Sequence, residues 1–255
     1  SKYIKETLES ILDQTYSNLE IIITDDASKD NTLDIVRGCE DERIKILTSN
    51  KNLGISQNMN KGILASKGKY IAIMDADDWS YPYRIEKQVE LMEDNSKVIL
   101  CSGYMDMCDE NLKLKHTRTY PTTNEEIRKV LLRYDPIAHP ASIWRKETLL
   151  KTDLYPLYVN NTCHDYGLIF EISPYGEFQN IPEPLIKYRI RKDSVTGKKI
   201  RQTQLLSTYF QIKGIVEYGF KPTFGDKVFI VLRTISAYIL PKRVQRYIAN
   251  NTSYK

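Results

Sequence analysis

The sequence predicts an α/β fold in which a mainly parallel, twisted central sheet carries helices on both faces. Short apolar strands alternate with helical patterns along the first half of the chain. The strands lack the polar–apolar alternation of a sheet that faces water on one side, which indicates burial on both faces. With 255 residues, 41% of them hydrophobic, the chain can bury a core of domain size.

The predicted elements follow one another in a regular order up to about residue 105. Apolar residues at helical spacing predict an opening helix that ends near Leu12. Elsewhere, short apolar runs bounded by polar turns predict strands, and apolar residues three or four positions apart predict helices. The predicted strands are Leu19–Thr24, Ile44–Leu47, Tyr70–Met74 and Val98–Met105, and the predicted helices are Thr32–Cys39, Gly54–Ala65 and Ile85–Met92.

The composition excludes several classes of protein. The net charge of +4 is mild, and basic residues are interspersed with acidic ones, which argues against a generic nucleic-acid binder. The cysteines form neither a CxxC motif nor a dense disulfide framework, so we interpret them as reduced thiols of a cytoplasmic protein. We expect no secretory signal peptide, and the sequence has no apolar stretch of about 18 residues, so any membrane contact is expected to be peripheral.

Acidic clusters follow two of the predicted strands. Asp25-Asp26 ends the first strand, and Asp75-Ala76-Asp77-Asp78 ends the third. The carboxyl ends of parallel strands meet at one sheet edge, so both clusters are expected to face one ligand. Crowded carboxylates favour a cation, and oxygen ligands suit Mg²⁺ or Mn²⁺ bound under a diphosphate. The structural alternatives are a helix N-cap near Pro82 for the second cluster and a turn for the first.

Six short segments occur in an order that is typical of one enzyme family. They are Asn18–Thr32, Asn52–Ser56, Gly68–Asp78, His164–Leu168, Gly176–Phe178 and Pro182–Arg189. Together they resemble the motifs of the family 2 glycosyltransferases of GT-A fold. The resemblance implies an inverting, divalent-metal-dependent enzyme of bacterial polysaccharide assembly. Such an enzyme moves a sugar from a nucleoside-diphosphate donor, here expected to be UDP-linked, to a hydroxyl of a glycan or lipid-linked acceptor.

The resemblance also implies roles for individual residues. Asp26 would contact the nucleotide base, with Asp25 supporting it. Asp77 would bind Mn²⁺ or Mg²⁺, and Asp75 would hold the ribose or the metal. Asp165 would be the general base that takes the proton of the attacking acceptor hydroxyl.

Some positions depart from the family pattern or carry a less definite role. His164 stands where the family usually has a second acid, and Arg191 stands where it usually has histidine. Arg191 can still hold a donor phosphate. His139, His164 and Trp144 are acceptor-side candidates. A buried structural role remains equally open for His139, and a core position remains open for Trp144.

The resemblance divides the chain into three parts. Residues 1–111 would be the donor-binding half, 112–198 the acceptor-binding half of the same GT-A domain, and 199–255 a helical C-terminal extension. The sequence begins within what resembles the family's first helix. We expect the family's first strand to precede it in the native protein, because a doubly wound sheet without a central strand would expose its core.

The segment from Lys227 to Tyr247 pairs the apolar run Val228–Leu232 with basic side chains. These are Arg233, Lys242, Arg243 and Arg246. A basic amphipathic helix can lie on anionic lipid, which would place the enzyme at the inner face of the cell membrane. A terminal helix packed on the domain with its basic residues in solvent explains the pattern equally well.

Three other classes of protein were weighed against this reading. A haloacid dehalogenase phosphatase also has Asp-x-Asp after a strand, but it expects Thr or Val where this chain has Trp79. A receiver domain needs a later aspartate and lysine in a much shorter chain. A non-catalytic sugar-nucleotide-binding adaptor remains the alternative. The presence of both Asp77 and Asp165 argues against it, since an adaptor needs no base.

Overall fold

The computed structural model describes residues 2–159, 162–191, 199–241 and 244–245. Its helices and strands, in chain order, are α1 (Ile4–Leu12), β1 (Ile21–Asp25), α2 (Thr32–Arg37), β2 (Ile44–Thr48), α3 (Ile55–Ala65), β3 (Tyr70–Ala72), β4 (Trp79–Ser80), α4 (Arg84–Asp94), β5 (Val98–Cys108), β6 (Leu114–Arg118), α5 (Asn124–Leu131), β7 (Ile143–Arg145), α6 (Lys146–Leu149), α7 (His164–Ile172), β8 (Glu177–Arg189), α8 (Ile200–Glu217) and α9 (Phe224–Ile239). Short 3₁₀ turns precede β7, α7 and β8.

The elements predicted for the first half of the chain are all present, and their ends shift by up to three residues. The largest extension is in β5, which was predicted to end at Met105 and continues to Cys108. Its last residues pair with both β6 and β8, and these partners come from the second half of the chain. Local sequence therefore located the strand, and distant partners decided its length.

The strands form two sheets. β1 and β2 pair in parallel as a two-stranded sheet. The larger sheet has the order β3-β7-β5-β8-β4, with β6 added to β5. Its longest ladder is the parallel pairing of β5 with β8, which runs from Val98 opposite Glu177 to Cys108 opposite Arg189.

The α/β class is confirmed, but the strand directions of the central sheet need correction. The β3–β7, β5–β7, β4–β8 and β5–β6 ladders are antiparallel, so among the described residues only β1–β2 and β5–β8 are parallel. An apolar run without alternation reports that both faces of a strand are buried, and it carries no information about the direction of the neighbouring strand. The antiparallel partners β6, β7 and β8 all lie after residue 112, where the sequence pattern is loose.

The hydrophobic core lies on both faces of the larger sheet. Every residue of β5 except Tyr104 is buried. Successive residues of β7 enter different clusters, with Ile143 packed in one and Trp144 in the other. Because successive side chains of a strand point to opposite faces, these clusters are the two covered faces of the sheet.

Helices α7 and α8 approach each other closely through a reciprocal pair of contacts. Gly167 of α7 lies against the ring of Phe210 of α8, and Gly214 of α8 lies against the ring of Phe170 of α7. A Cβ atom at Gly214 would lie 2.4 Å from Phe170 Cδ1, and one at Gly167 would lie 2.5 Å from Phe210 Cε1. Both phenylalanines are buried, so the rings have little room to move. The two glycines thus set the distance between the helices.

The C-terminal helix α9 packs on α8 through one face. Thr208 and Thr234 bring their hydroxyls within 3.2 Å of each other, and Arg233 Nη2 donates to Gln211 Oε1 at 2.9 Å. Arg233 therefore points towards α8. The predicted basic residues Lys242, Arg243 and Arg246, and the boundary at residue 198, lie outside the described residues. Within the described ranges, the length and hydrophobicity needed to cross a bilayer are not combined in any helix.

Gly214→Ala is expected to lower the free energy of unfolding by about 2 kcal/mol, because the added methyl group must displace the buried Phe170 ring. This loss outweighs the gain in helix propensity of about 1 kcal/mol. Urea denaturation followed by circular dichroism measures the change. The matched control is Gly225→Ala in α9, where the new Cβ would meet the flexible end of Arg133 at 3.2 Å and Thr223 Oγ1 at an ordinary 3.7 Å. Equal effects of the two substitutions would contradict the proposed packing constraint.

Candidate active site

Three carboxylates come together in the loop between β3 and β4. Oxygen atoms of Asp75, Asp77 and Asp78 all lie within 4.8 Å of one another. Asp78 is buried, Asp77 is half-buried and Asp75 is open to solvent. The loop turns back on itself, since the Asp78 amide donates to the Asp75 carbonyl at 3.3 Å.

Neither Asp77 nor Asp78 caps the following helix, which removes the structural alternative for this cluster. Helix α4 begins at Arg84 and its N-cap residue is Tyr83. Asp78 instead fixes the loop to β8, because its Oδ1 accepts a hydrogen bond from the Arg189 amide at 2.9 Å. The Thr7 hydroxyl also donates to the Asp78 carbonyl at 2.6 Å.

Three arginines surround the acidic loop. Arg84 is buried beneath it and donates from Nη2 to the Ile73 carbonyl at 2.7 Å. Arg189 is also buried and donates from Nε to the Asp77 carbonyl at 2.6 Å. Arg191 lies nearer the surface, with its Nε 2.8 Å from Asp77 Oδ2. The positive charges of these arginines partly compensate the charges of the carboxylates.

The electrostatics of the cluster fit a bound cation. The surrounding protein and the charges of Asp77 and Asp165 raise the pKa of Asp75 to about 7, although one side of Asp75 faces solvent. Burial and the nearby charge of Asp75 raise the pKa of Asp78 to about 8. In addition, Asp78 Oδ2 is buried without a hydrogen-bond partner among the described residues. A divalent cation would relieve the repulsion, and hard oxygen ligands are what Mg²⁺ and Mn²⁺ prefer.

Asp25 and Asp26 lie together at the carboxyl end of β1. Asp25 is buried, and its Oδ2 accepts a hydrogen bond from the Ser28 amide at 3.1 Å, as in a turn. The two oxygens of Asp26 accept from the amides of Leu53 at 2.7 Å and Gly54 at 2.9 Å. Asp26 thereby ties β1 to the start of α3. A carboxylate has about four acceptor sites, so Asp26 can still accept a further hydrogen bond from a ligand.

Asp165 lies in the first turn of α7 beside two histidines. The rings of His139 and His164 have centroids 5.4 Å apart and meet edge to face. His139 Nε2 is 2.9 Å from the hydroxyl of Tyr155, whose ring also contacts His164 at a centroid distance of 5.5 Å. Asp165 Oδ1 accepts a hydrogen bond from the Tyr166 amide at 2.9 Å. Three of the predicted site residues are thus neighbours.

This surrounding keeps Asp165 ionised. Burial opposes the charged form, but His164, His139 and the Tyr166 amide outweigh it and lower the pKa of Asp165. The charge of Asp165 in turn raises the pKa of Asp75, so the two carboxylates lie within electrostatic range of each other. The structure therefore brings Asp165 towards the acidic loop.

Helix α3 links the Asp26 side of the site with the histidine side. The two residues directly before the helix donate to the Asp26 carboxylate, as described above. Further along, Asn60 Nδ2 donates to the Tyr155 carbonyl and Asn60 Oδ1 accepts from the Tyr155 amide, each at 2.9 Å. Tyr155 then reaches His139. One helix thus holds both sides of the site in a fixed relation.

The placement of Trp144 corrects the sequence prediction. Trp144 is completely buried in the core, and its Nε1 donates to the Ser142 hydroxyl at 2.7 Å. Its ring cannot meet an acceptor, because none of the residue's surface is exposed. His139 is buried as well, so it supports His164 and Asp165 and does not line an open pocket.

Sequence reasoning missed several residues around the site. Asp135 lies close enough to Asp165 that burial and the Asp165 charge raise its pKa well above the usual range. Arg189 ends the motif Pro182–Arg189 and Asn60 lies four residues after the motif Asn52–Ser56, but neither was given a role. Tyr155 has no local signal, since only the fold brings it between α3 and His139.

Comparisons with known proteins agree with this geometry. Residues 1–153 match the family model described as Glycosyl transferase family 2. The UDP-Glc:alpha-D-GlcNAc-diphosphoundecaprenol beta-1,3-glucosyltransferase WfaP of Escherichia coli is 30% identical over 242 residues, which cover 88% of this chain and 92% of that protein.

Two solved structures resemble the fold along nearly the whole chain. S. aureus TarS 1–349 in complex with UDP has a TM-score of 0.68 at 15% identity, over 100% of this chain and 72% of that one. Mannosyltransferase PcManGT from Pyrobaculum calidifontis, in complex with GDP-Man and Mn²⁺, has a TM-score of 0.67 at 18% identity, over 99% of this chain and 72% of that one. At these identities the likeness shows the fold alone, and it confirms the predicted GT-A fold.

His139→Gln is expected to make stability less sensitive to acid. Burial, together with the nearby His164, lowers the pKa of His139 to about 4, although Asp165 opposes the shift. Between pH 6.5 and 4 the unfolded chain therefore binds a proton that the folded chain does not, so the free energy of unfolding falls as the pH falls. Without this titration, the variant should lose about 2 kcal/mol less than the wild type between pH 7 and 4.5.

Urea denaturation across this pH range measures the difference. Glutamine can keep the hydrogen bond to Tyr155, which limits other effects of the substitution. His116→Gln is the matched control, since His116 is exposed on β6. A parallel pH dependence of wild type and His139→Gln would show that His139 titrates as it does in the unfolded chain.

Proposed function

The chain belongs to glycosyl transferase family 2, and on this premise we propose that it is an inverting, divalent-metal-dependent glycosyltransferase that uses a UDP-sugar. The acceptor is a hydroxyl of a growing glycan or of a lipid-linked glycan. The observation that carries the proposal is the cluster Asp75, Asp77 and Asp78 within electrostatic range of Asp165. A cation site beside an ionised carboxylate is what direct displacement of a nucleoside diphosphate requires.

The relatives support the donor and acceptor classes. WfaP is named for UDP-Glc and for an acceptor built on diphosphoundecaprenol. TarS was solved with UDP, and PcManGT with GDP-Man and Mn²⁺. We therefore propose a UDP-linked hexose or N-acetylhexosamine as the donor. A lipid-linked acceptor would place the enzyme at the cytoplasmic surface of a membrane.

The donor would bind along the edge formed by the two acidic clusters. Asp26, supported by Asp25, would accept a hydrogen bond from the base. Asp77 and Asp75 would hold Mn²⁺ or Mg²⁺, which when bound offsets the negative charge that develops on the leaving diphosphate. Arg191 lies 2.8 Å from Asp77, so its guanidinium is within reach of phosphate oxygens at the same place.

Asp165 would act on the acceptor. In a single displacement the acceptor oxygen bonds to the anomeric carbon as the bond to the diphosphate oxygen breaks, and the configuration inverts. The acceptor hydroxyl loses its proton to Asp165, which is available because its lowered pKa keeps it ionised. The diphosphate leaves as an anion, so no carboxylic acid is needed to protonate it, unlike the usual glycosidase.

A panel of nucleotide sugars tests the proposal. We expect Mn²⁺-dependent hydrolysis of one UDP-sugar without acceptor and faster turnover when a glycan acceptor is added. Donor binding without any hydrolysis or transfer would favour the alternative of a non-catalytic sugar-nucleotide-binding adaptor.

Asp77→Ala is expected to abolish the Mn²⁺-dependent part of UDP binding and leave the fold intact, because it removes a cation ligand from a loop that Asp78 and Arg189 hold in place. Isothermal titration calorimetry with and without Mn²⁺ measures the effect. Asp94→Ala, at an exposed position in the last turn of α4, is the control for loss of one negative charge. Unchanged Mn²⁺-dependent affinity in Asp77→Ala would exclude this residue as a ligand.

Asp165→Asn is expected to bind donor normally and to transfer sugar at least about 10²-fold more slowly, because the amide keeps the shape but cannot take a proton. Single-turnover transfer assays separate this loss from binding. Asp94→Asn is the matched control, since Asp94 is an exposed acid in the last turn of α4. Transfer by Asp165→Asn at the rate of the control would assign the base elsewhere.

A further inference from the structure

Helix α9 exposes a large apolar surface. Phe224 is 83% exposed and Ile239 is 73% exposed, at the two ends of the helix. Six further apolar residues between them are also exposed, though to a smaller degree: Val228, Phe229, Val231, Leu232, Ile235 and Tyr238. We call Phe224, Val228, Val231, Leu232, Ile235, Tyr238 and Ile239 the outer face of α9.

The outer face is continuous along the helix. Its members recur three or four positions apart, which places them on one side of an α-helix. The opposite side carries Asp226, Ile230 and Ala237, which are buried. α9 therefore turns an apolar side to solvent, whereas the outer side of a helix on a globular protein is normally polar.

The fold alone does not account for this surface. Single exposed apolar residues are common on protein surfaces, and Leu64, Leu114 and Leu150 are examples here. A contiguous apolar patch on a soluble protein instead marks contact with a protein, a ligand or a membrane. The stripe of seven residues on one helix is of this second kind.

The charge of the surrounding segment distinguishes these partners. Residues 199–255 contain ten Lys or Arg and two Asp or Glu, whereas the whole chain has a net charge of only +4. The part of the chain before this segment is therefore net acidic. Among the described residues, Lys221 and Lys227 are exposed near the start of α9, and the Arg201 guanidinium lies 5.0 Å from the centre of the Tyr238 ring.

We propose that the outer face of α9 binds an anionic lipid surface. The helix would lie in the plane of the membrane, with its apolar side chains between the headgroups and its basic neighbours against lipid phosphates. Its 16 residues form a rod about 24 Å long, which suits an interfacial helix. A symmetric contact between two copies of this chain would bring two basic segments together, and like charges would oppose it.

The proposal goes beyond sugar transfer and can be tested without it. Full-length protein is mixed with vesicles of phosphatidylcholine, with or without phosphatidylglycerol, and the bound fraction is measured by co-sedimentation. We expect binding to the anionic vesicles at about 0.1 M salt and weaker binding at about 1 M salt, where charges are screened. Equal binding to both vesicle types, or no binding to either, would overturn the proposal.

A pair of matched variants tests the face itself. Leu232→Gln, Ile235→Gln and Ile239→Gln together remove three apolar side chains from the outer face and should lower the partition coefficient at least tenfold. The control replaces Leu64, Leu114 and Leu150 by Gln, which removes three equally exposed leucines elsewhere. It should bind within about twofold of the wild type, given that scattered surface residues make no joint contact. Equal binding of the two variants would refute the outer face as the contact.

A second variant keeps the test decisive if the triple substitution impairs folding, which circular dichroism reports. Lys221→Gln with Lys227→Gln leaves the apolar face intact and should lower binding to anionic vesicles about tenfold at low salt. Sedimentation velocity tests whether a second copy of the chain covers the outer face instead. A dimer that dissociates in the triple variant, with no vesicle binding by either form, would assign the outer face to a second copy and overturn the proposal.

Discussion

The constraint on which this structure depends is the crowding of three carboxylates in the loop Asp75–Asp78. Their oxygens lie within 4.8 Å of one another, so the loop would open by repulsion unless its backbone were fixed. Arg84 fixes the loop by donating to the Ile73 carbonyl. Arg189 in β8 fixes it by donating from its side chain to the Asp77 carbonyl and from its backbone amide to Asp78 Oδ1. The repulsion between the carboxylates therefore persists in the folded loop, where a cation would relieve it. Arg191 reduces this repulsion near the surface through its contact with Asp77.

On the opposite side of the site, neighbouring groups likewise fix the charge and the position of Asp165. Asp165 remains ionised in its half-buried position, because His164, His139 and the Tyr166 amide, which donates to it, lower its pKa. Asp165 lies on α7, and the reciprocal contacts of Gly167 and Gly214 with phenylalanine rings fix the distance between α7 and α8. Tight packing between α7 and α8 therefore contributes to the position of Asp165.

Helix α8 supports the site helix α7 through its packing, and helix α9 carries the exposed apolar face proposed to bind a membrane. α8 uses one face to position α7, and α9 uses one face to cover α8. The remaining face of α9 is apolar and lies in the most basic part of the chain. If that face rests on lipid, the net acidic remainder of the chain is directed away from the anionic surface, which orients the molecule without any membrane-spanning element.

The sequence by itself determined the helices and strands that were predicted up to Met105 and the two acidic clusters, because apolar periodicity and strand-end acids are local signals. It also singled out Asp165 through ordered motifs and Arg191 as a departure from them. Only the tertiary structure decided the directions of the strands in the larger sheet and the burial of Trp144, because both depend on partners far away in the chain. The contacts of Asp26 with the start of α3 and of Tyr155 with His139 were likewise invisible in the sequence, since each joins segments whose separation along the chain carries no local pattern.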